Sequence, residues 1–319
     1  MFKDKVVLVK SKTFKTLDEQ IEILKNKGLV IDDIDKTKNI LLRENYFFIS
    51  GYRHLFLDEI DTQRFIKGTT FEELYSMFSF DRQLRNIIFK NILIVENNLK
   101  SILAYVMSKN HGFKENSYLN PKNFVRDSRK NKQINDLLKK MKRQISVNGR
   151  QHTATAHYIN SYGFIPLWVV VKVLSFGIVG ELYTILQWQD QKEIAEIFGV
   201  DIYSMVEYLP IIANYRNLCA HEDLCYINKT QKRIENTKYH HMLNMKLDED
   251  GEYKNGKNDL FALVIILKSV LDQNNFNLFL REVSYEIDVL EGHLKTIPIN
   301  KVLKEMGFPD NYKDIVRMG

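Results

Sequence analysis

One helical periodicity runs almost unbroken from Leu74 to Val106 and restricts what this chain can fold into. Apolar residues recur there every three or four positions, which is the spacing that one face of an α-helix presents. Thr69 and Glu72 predict a capping box at the start of this helix, which is expected to reach about Ser108. Because the 319 residues include only five Pro and 14 Gly, little interrupts helices elsewhere, and the sequence predicts an all-α protein. The recurring apolar residues are Leu74, Phe78, Leu84, Ile88, Ile92, Val95, Leu99, Ile102 and Val106.

The N-terminal part of the chain is expected to form short helices. Thr16 and Glu19 make a second capping-box pattern, for a helix that Gly28 ends. Another helix is expected from Asp33 to Arg43. The aromatic segment 46–52 follows as a candidate helix pair, and its rings are interpreted as core.

Longer helices are expected in the remainder. Residues 247–258 are rich in Asp, Glu, Gly and Asn and are predicted to form a loop. Pro210 is expected to break or kink the helix that contains it. The predicted helices are 127–146, 167–188, 203 to about 226, and two amphipathic helices, 259–271 and 276–290, that could pack on the core or on a partner.

The charge of the chain is unevenly distributed. Its formal net charge is +6, but residues 109–150 hold twelve Lys and Arg against three Asp and Glu, so the remainder is slightly acidic. A basic field of this kind attracts a phosphate backbone and makes binding salt-dependent. A solvated helix face is the other interpretation, because apolar residues from Ile134 to Ile145 supply a buried stripe between the basic ones. The candidate phosphate-binding residues are Arg126, Arg129, Lys130, Lys132, Lys139, Lys140, Lys142 and Arg143.

A further feature is an Arg followed at short spacing by a His. Arg216 and His221 lie in a largely apolar, helical stretch, with Asn217 directly after the Arg. Arginine supplies a permanent cation for a phosphate, and an imidazole can move a proton near neutral pH. Two other pairs of similar spacing lack an apolar helical context: Arg150/His157 and Arg233/His240.

The geometry of this pair leaves alternatives open. On an ideal helix Asn217 and His221 share a face, whereas Arg216 and His221 lie about 140° apart. A long Arg could reach round to the same phosphate, or the pair could be a capped helix end with both side chains solvated. Glu96 lies next to the apolar stripe of the long helix and needs a partner if it is buried. That partner is either Arg216, whose guanidinium Glu96 would orient, or Lys100 in an exposed i, i+4 pair.

Cysteine content and hydropathy favour a cytoplasmic protein that does not enter a membrane. The two Cys, Cys219 and Cys225, cannot form a disulfide framework and are interpreted as buried core thiols. With His221 they lack the ligand spacing of a zinc site, so no metal or other cofactor is expected. The N-terminus is too briefly apolar for a signal peptide, and the longest apolar run, 165–180, is too short to span a bilayer.

Six ordered blocks spread between residues 14 and 228 resemble the Abi-like family, bacterial abortive-infection proteins of the AbiD/AbiF type. That family belongs to the HEPN superfamily, and type VI CRISPR effector nucleases look like distant relatives. The Arg216 to His221 spacing has the form of the HEPN ribonuclease motif. The blocks are 16–31, 41–53, 71–85, 94–105, 157–177 and 215–221.

The resemblance implies a HEPN-like four-helix core in residues 69–246, an N-terminal helical region in 1–68 and a C-terminal helical extension in 247–319. It also implies a metal-independent endoribonuclease of an anti-phage or toxin–antitoxin system. In that enzyme Arg216 holds the scissile phosphate of RNA and His221 moves a proton. Asn217 positions the His or the RNA.

The resemblance further implies partners. HEPN sites usually form where two motifs face each other, and one motif per chain therefore predicts a homodimer. RNA is expected as substrate or as a small non-coding partner, and an antitoxin or a phage-derived trigger are candidate regulators. The fourth helix is expected at the dimer interface, with four apolar residues divided between core and partner: Ile211, Ile212, Leu218 and Leu224.

Two other functional classes stay open. A non-catalytic RNA-binding or regulatory protein would use the basic segment in place of Arg216 and His221. A protein-interaction module of a defence system would use the amphipathic C-terminal helices.

Overall fold

The computed structural model describes residues 13–148 and 151–318. Over these residues the protein is all-α, as predicted, and β-structure there is limited to isolated bridges. Arg150 of the Arg150/His157 pair and the first twelve residues of the predicted N-terminal region lie outside the described part. In the same residues no helix is both long enough and apolar enough to cross a bilayer.

The helices vary widely in length, from a single turn to the 41 residues of α4. Short 3-10 turns connect several of them, at Gly51–Phe56, Pro121–Asn123, Ser128–Lys130 and Tyr312–Arg317. The α-helices are α1 (Leu17–Asn26), α2 (Ile34–Glu44), α3 (Tyr46–Ser50), α4 (Phe71–His111), α5 (Glu115–Tyr118), α6 (Asn131–Asn148), α7 (Thr153–Tyr162), α8 (Leu167–Val173), α9 (Phe176–Ile185), α10 (Trp188–Ile197), α11 (Ile202–Ala220), α12 (Lys238–Met242), α13 (Leu260–Val270), α14 (Gln273–His293) and α15 (Ile299–Glu305).

The chain divides into two compact units. The first comprises residues up to Phe80 together with Val289–Lys301, and the second comprises Asp81–Asp288 and the residues from Val302 onwards. Helix α4 starts in the first unit and continues into the second. This division does not coincide with the three regions expected from the sequence, 1–68, 69–246 and 247–319, whose bounds stay a prediction.

Two of the predicted helix starts in the first unit are confirmed. Thr16 and Glu19 form a reciprocal capping box, and Asp33 caps α2 through the backbone N–H of Lys36. The cap predicted for α4 at Thr69 and Glu72 is wrong by one residue, because Thr70 and Glu73 form it. Glu73 takes the capping position because its other carboxylate oxygen, Oε1, accepts the backbone N–H groups of residues 295 and 296, each at 2.7 Å.

In the second unit, the predicted third helix, 167–188, is wrong, because the segment forms α8 and α9 and then starts α10. Leu174 is extended, and the Ser175 side chain accepts the backbone N–H of Ile178 and so starts a new helix. Helix α9 packs against both α6 and α11. The predicted buried stripe of α6 is confirmed at Ile134, Leu137, Leu138 and Met141, while Ile145 is half-buried.

Helix α11 continues through Pro210 and ends at Ala220, six residues before the predicted end. The chain beyond it turns away, with Glu222 in the left-handed region at φ 57°. Ile211 and Ile212 are fully buried within the chain, so they fall on the core side of the expected division between core and partner, and the partner side stays a prediction. Leu218 is also buried, and Leu224 is half-buried.

Helix α13 is not amphipathic as predicted. Every residue of this helix except Ser269 is buried, and Asp259 caps its start through the backbone N–H of Ala262. A helix that is apolar all round belongs to the interior of a protein. It packs against α11 and contributes to the core of the second unit.

Candidate functional site

The Arg–Asn–His motif lies at the C-terminal end of α11. Arg216 and Asn217 belong to the last turn, and His221 is the residue at which the helix ends, with its backbone N–H donating to the Asn217 carbonyl at 3.0 Å. The Asn217 and His221 side chains are exposed, whereas Arg216 is half-buried. Asn217 and His221 are the last two residues of an exposed row with helical spacing along α11. The residues of this row are Tyr203, Val206, Pro210, Asn214, Asn217 and His221.

Glu96 on α4 contacts both partners that the sequence left open. Its Oε1 accepts from Lys100 Nζ at 2.7 Å, and its Oε2 lies 3.5 Å from Arg216 Nε. The side chains of Glu96 and Arg216 are 9% and 33% exposed, so the carboxylate is nearly buried and the guanidinium still reaches solvent. The guanidinium also lies over the Phe89 ring, 5.7 Å from its centroid.

This arrangement holds Arg216 by its Nε edge. Neither Arg216 Nε nor Glu96 Oε2 makes a hydrogen bond among the described residues, and their contact is an ion pair at longer range. Among the residues that the structure describes, Arg216 pairs with no carboxylate other than Glu96. The two outer nitrogens of the guanidinium are therefore the ones that can donate in parallel to an oxyanion.

A buried ion pair on α4 clamps the segment that follows His221. Asp81 and Arg85 lie 2.5 Å apart, with side chains 0% and 3% exposed. The Asp81 carboxylate accepts the backbone N–H groups of Cys225 at 3.0 Å and Tyr226 at 2.8 Å, and Arg85 donates to the Asp223 carbonyl at 3.3 Å. These bonds take residues 223–226 out of the helix, which explains the early end of α11.

The role of Asp81 and Arg85 was missed in the sequence, although a signal existed. In the apolar row of α4, Phe78 and Leu84 are six residues apart, and Asp81 falls in the gap. A charged residue on a buried face requires a partner, and Arg85 is placed one turn away.

Of the two cysteines expected to be buried core thiols, Cys225 is buried, whereas Cys219 is only half-buried. Burial raises the pKa of the Cys225 thiol well above its usual value, so this thiol stays protonated and is a poor nucleophile. Burial likewise raises the pKa of Tyr215, whose hydroxyl donates to the Asn228 carbonyl at 3.0 Å. Within the described residues no cluster of three His, Cys, Asp or Glu side chains has the arrangement of a metal site.

The basic segment forms a ridge along α6 and the turn before it. Lys132, Lys139 and Arg143 fall within about 40° of one another on the helix, opposite the buried stripe. Four cations of this ridge have partners nearby. Arg129 pairs with Asp127, Lys139 with Asp136 and Lys140 with Glu181, while Lys130 donates a hydrogen bond to the Thr184 carbonyl. We call these the paired cations.

The other four ridge cations are exposed and make no ion pair or hydrogen bond with any described residue. We call them the unpaired cations. Because their charge is not neutralised locally, they are the part of the ridge best suited to an external anion. They are Arg126, Lys132, Lys142 and Arg143.

Comparison with known proteins gives one result. The family model for Abi-like proteins matches residues 39–227, more than half of the 319 residues. The match contains α4, the ridge and the motif at the end of α11, and it stops directly after the clamped segment. No curated protein and no solved structure matches the chain.

Proposed function

The chain belongs to the Abi-like family, and from this premise we propose that it is a metal-independent endoribonuclease of the HEPN type that acts in abortive infection. The main support is the anchoring of Arg216. Its Nε edge faces the nearly buried Glu96, and its outer nitrogens stay available one turn before the exposed His221.

In the proposed reaction the RNA supplies its own nucleophile. The 2′-hydroxyl oxygen attacks the adjacent phosphorus, and the bond from phosphorus to the 5′ oxygen of the next nucleotide breaks. One proton leaves the 2′-hydroxyl and one must reach the departing oxygen, and His221 carries out such a transfer. Arg216 binds the phosphate oxygens and stabilises the charge that builds up on them.

Two further groups have positioning roles in this proposal. Glu96 fixes the plane of the Arg216 guanidinium, which a Lys at 216 could not present in the same way. Asn217 lies on the exposed row beside His221 and orients either the imidazole or the RNA. Since the 2′-hydroxyl replaces a metal-bound water as nucleophile, the reaction requires no metal and spares DNA.

The unpaired cations of the ridge are proposed to bind the RNA backbone. Three of them lie on α6 and Arg126 lies shortly before it, and none makes an ion pair with a described residue, so their phosphate contacts would release bound counterions. The paired cations contribute less, because each is already held by a carboxylate or a carbonyl.

We also propose that two chains associate through the exposed row of α11. Its N-terminal half carries Tyr203, 81% exposed, and Val206, 37% exposed, and its C-terminal half carries Asn217 and His221. A two-fold axis across this row would bring two Arg216 and two His221 side chains to one groove. Each proton transfer would then have its own imidazole.

The proposal is tested by RNA cleavage in the presence of EDTA. Wild type should cleave, while His221→Ala and Arg216→Lys should lose at least about 100-fold in rate, the range of a lost general acid–base or charge-stabilising group. The matched controls His241→Ala and Arg233→Lys change an exposed residue of the same type elsewhere and should leave the rate unchanged.

Three outcomes contradict the proposal. Full activity of either motif variant refutes the roles of Arg216 and His221. Loss of activity with EDTA that returns with a divalent cation refutes the metal-independent mechanism. RNA binding without cleavage by the wild type favours the non-catalytic RNA-binding alternative.

A further inference from the structure

Two groups of aromatic side chains lie on α7, on α8 and on the residues that flank them after α4 and before α8, away from the motif at the end of α11. Phe113 contacts Phe164 and Trp168, with ring centroids 5.8 and 5.4 Å apart. Tyr158 and Tyr162 on α7 lie 5.3 Å apart, and the His157 ring contacts both. We call these six rings the aromatic surface.

These rings are open to solvent to an unusual degree for apolar side chains. Phe113 is 39% exposed, Trp168 is 47% exposed and Tyr162 is 60% exposed. Each ring contacts at least one other ring of its group, while part of each ring faces water. Rigid rings held in place in this way offer a flat apolar surface at little further cost in side-chain entropy.

A basic side chain lies against one of these rings. Lys114 Nζ lies over the Phe164 ring, 4.9 Å from its centroid, and the Lys114 side chain is exposed. Helix α8, which carries Trp168, packs against both α7 and α6. Aromatic faces next to unneutralised cations are the combination that binds single-stranded nucleic acid, by base stacking and backbone attraction.

From these observations we infer that the aromatic surface binds unpaired bases of single-stranded RNA, at a place separate from the cleavage motif. The inference rests on the proposed function, since it names the form of RNA that the same protein would cleave. Trp168 and Tyr162 stack on bases, and Lys114 contacts the phosphate backbone. Duplex RNA binds this surface weakly, because its bases are already stacked on each other.

The length of α4 sets the distance between this surface and the motif. Arg216 meets α4 at Glu96, and the aromatic surface begins just after the helix ends at His111. At about 1.5 Å per residue these points are about 22 Å apart along the helix, which a strand stacked at about 3.4 Å per nucleotide covers with about six or seven nucleotides. A shorter RNA cannot occupy both places.

The first test uses Trp168 fluorescence, because the chain contains only two Trp residues. All variants carry His221→Ala, so that the RNA is not cleaved during the measurement. Trp188→Phe then leaves Trp168 as the reporter, and Trp168→Phe leaves Trp188 as the matched control. A single-stranded oligouridylate of about 16 nucleotides should quench Trp168 and not Trp188. A blunt RNA duplex of the same length should quench neither. Equal quenching of both reporters, or none at Trp168, overturns the inference.

The second test measures affinity and its dependence on RNA length. Trp168→Leu should weaken binding of the 16-nucleotide strand at least about fivefold, the loss expected for one stacked base, with an unchanged urea midpoint. Cleavage of a strand of about four nucleotides should keep its rate, since a strand of this length that occupies the motif cannot also reach Trp168. An unchanged affinity for the longer strand, or an equally large loss in cleavage of the short one, contradicts the inference. Quenching of Trp168 without cleavage by wild type would remove the proposed enzymatic function and leave this binding site in place.

Discussion

Replacing Asp81 by Asn should destabilise the protein strongly, because it breaks the buried clamp while keeping the side chain's shape. Asp81 is fully buried beside Arg85, which is 3% exposed, so the substitution removes a carboxylate charge that faces this buried guanidinium. Removing one partner of a buried pair costs about 3–5 kcal/mol. The backbone N–H groups of Cys225 and Tyr226 also lose a charged acceptor, and Asn offers them a single neutral oxygen.

Urea unfolding of wild type and variant measures this loss. Asp288→Asn is the matched control, because Asp288 pairs with Lys313 at the surface with side chains 62% and 56% exposed, and its removal should cost less than about 1 kcal/mol. In the double variant Asp81→Asn/Arg85→Met the loss should be smaller than the sum of the single losses by about 0.5–3 kcal/mol. A loss below about 1 kcal/mol for Asp81→Asn, or strict additivity of the two changes, would refute the clamp.

Three other predictions follow from the same geometry. Substituting Gln for all four unpaired ridge cations should make the affinity for single-stranded RNA less dependent on salt, with the slope of log K against log[salt] reduced by about 0.7 per lost phosphate contact. The same change at the four paired cations should have a smaller effect. Equal effects would contradict the difference between paired and unpaired cations. Burial lowers the pKa of His240. As the pH falls below about 6.5, His240 of the unfolded chain therefore takes up a proton that the folded chain does not. The free energy of unfolding should be at its full value above that pH and decline below it. In His240→Gln the urea midpoint should lose this part of its pH dependence, and an unchanged dependence would exclude His240 as its source. Val206→Glu places a charge on the exposed row of α11 and should yield monomers by light scattering, with cleavage reduced; a fully active monomer would exclude the shared site.

Local patterns in the sequence predicted several of the helices correctly. The capping box of α1, the cap of α2 and the periodicity of α4 depend on residues three or four positions apart, and such signals are readable without a fold. Leu174–Ser175 carry a similar signal, since a Ser before an apolar run favours a new helix, and the single helix predicted for 167–188 does not take account of it.

Features that depend on distant residues could not be predicted in the same way. Thr69/Glu72 and Thr70/Glu73 fit the capping pattern equally well, and the choice between them is made by backbone groups at 295 and 296. The early end of α11 is imposed by Asp81 and Arg85, more than 130 residues earlier in the chain.

Distant residues also decide which cations and carboxylates pair. Partners on or next to α9 distinguish the paired ridge cations Lys130 and Lys140 from their neighbours. For Glu96, the two interpretations from the sequence proved compatible because a carboxylate has two oxygens, one for Lys100 and one for Arg216.

The most direct measurement of the central claim uses an RNA with one 2′-deoxy nucleotide at a mapped cleavage position. If Arg216 and His221 promote attack by the 2′-hydroxyl, the substitution should abolish cleavage at that position alone, in EDTA. The unmodified RNA should give fragments that end in a 2′,3′-cyclic phosphate, detected by mass spectrometry. Cleavage at the 2′-deoxy position at the normal rate, or fragments that carry a 5′-phosphate, would contradict the account.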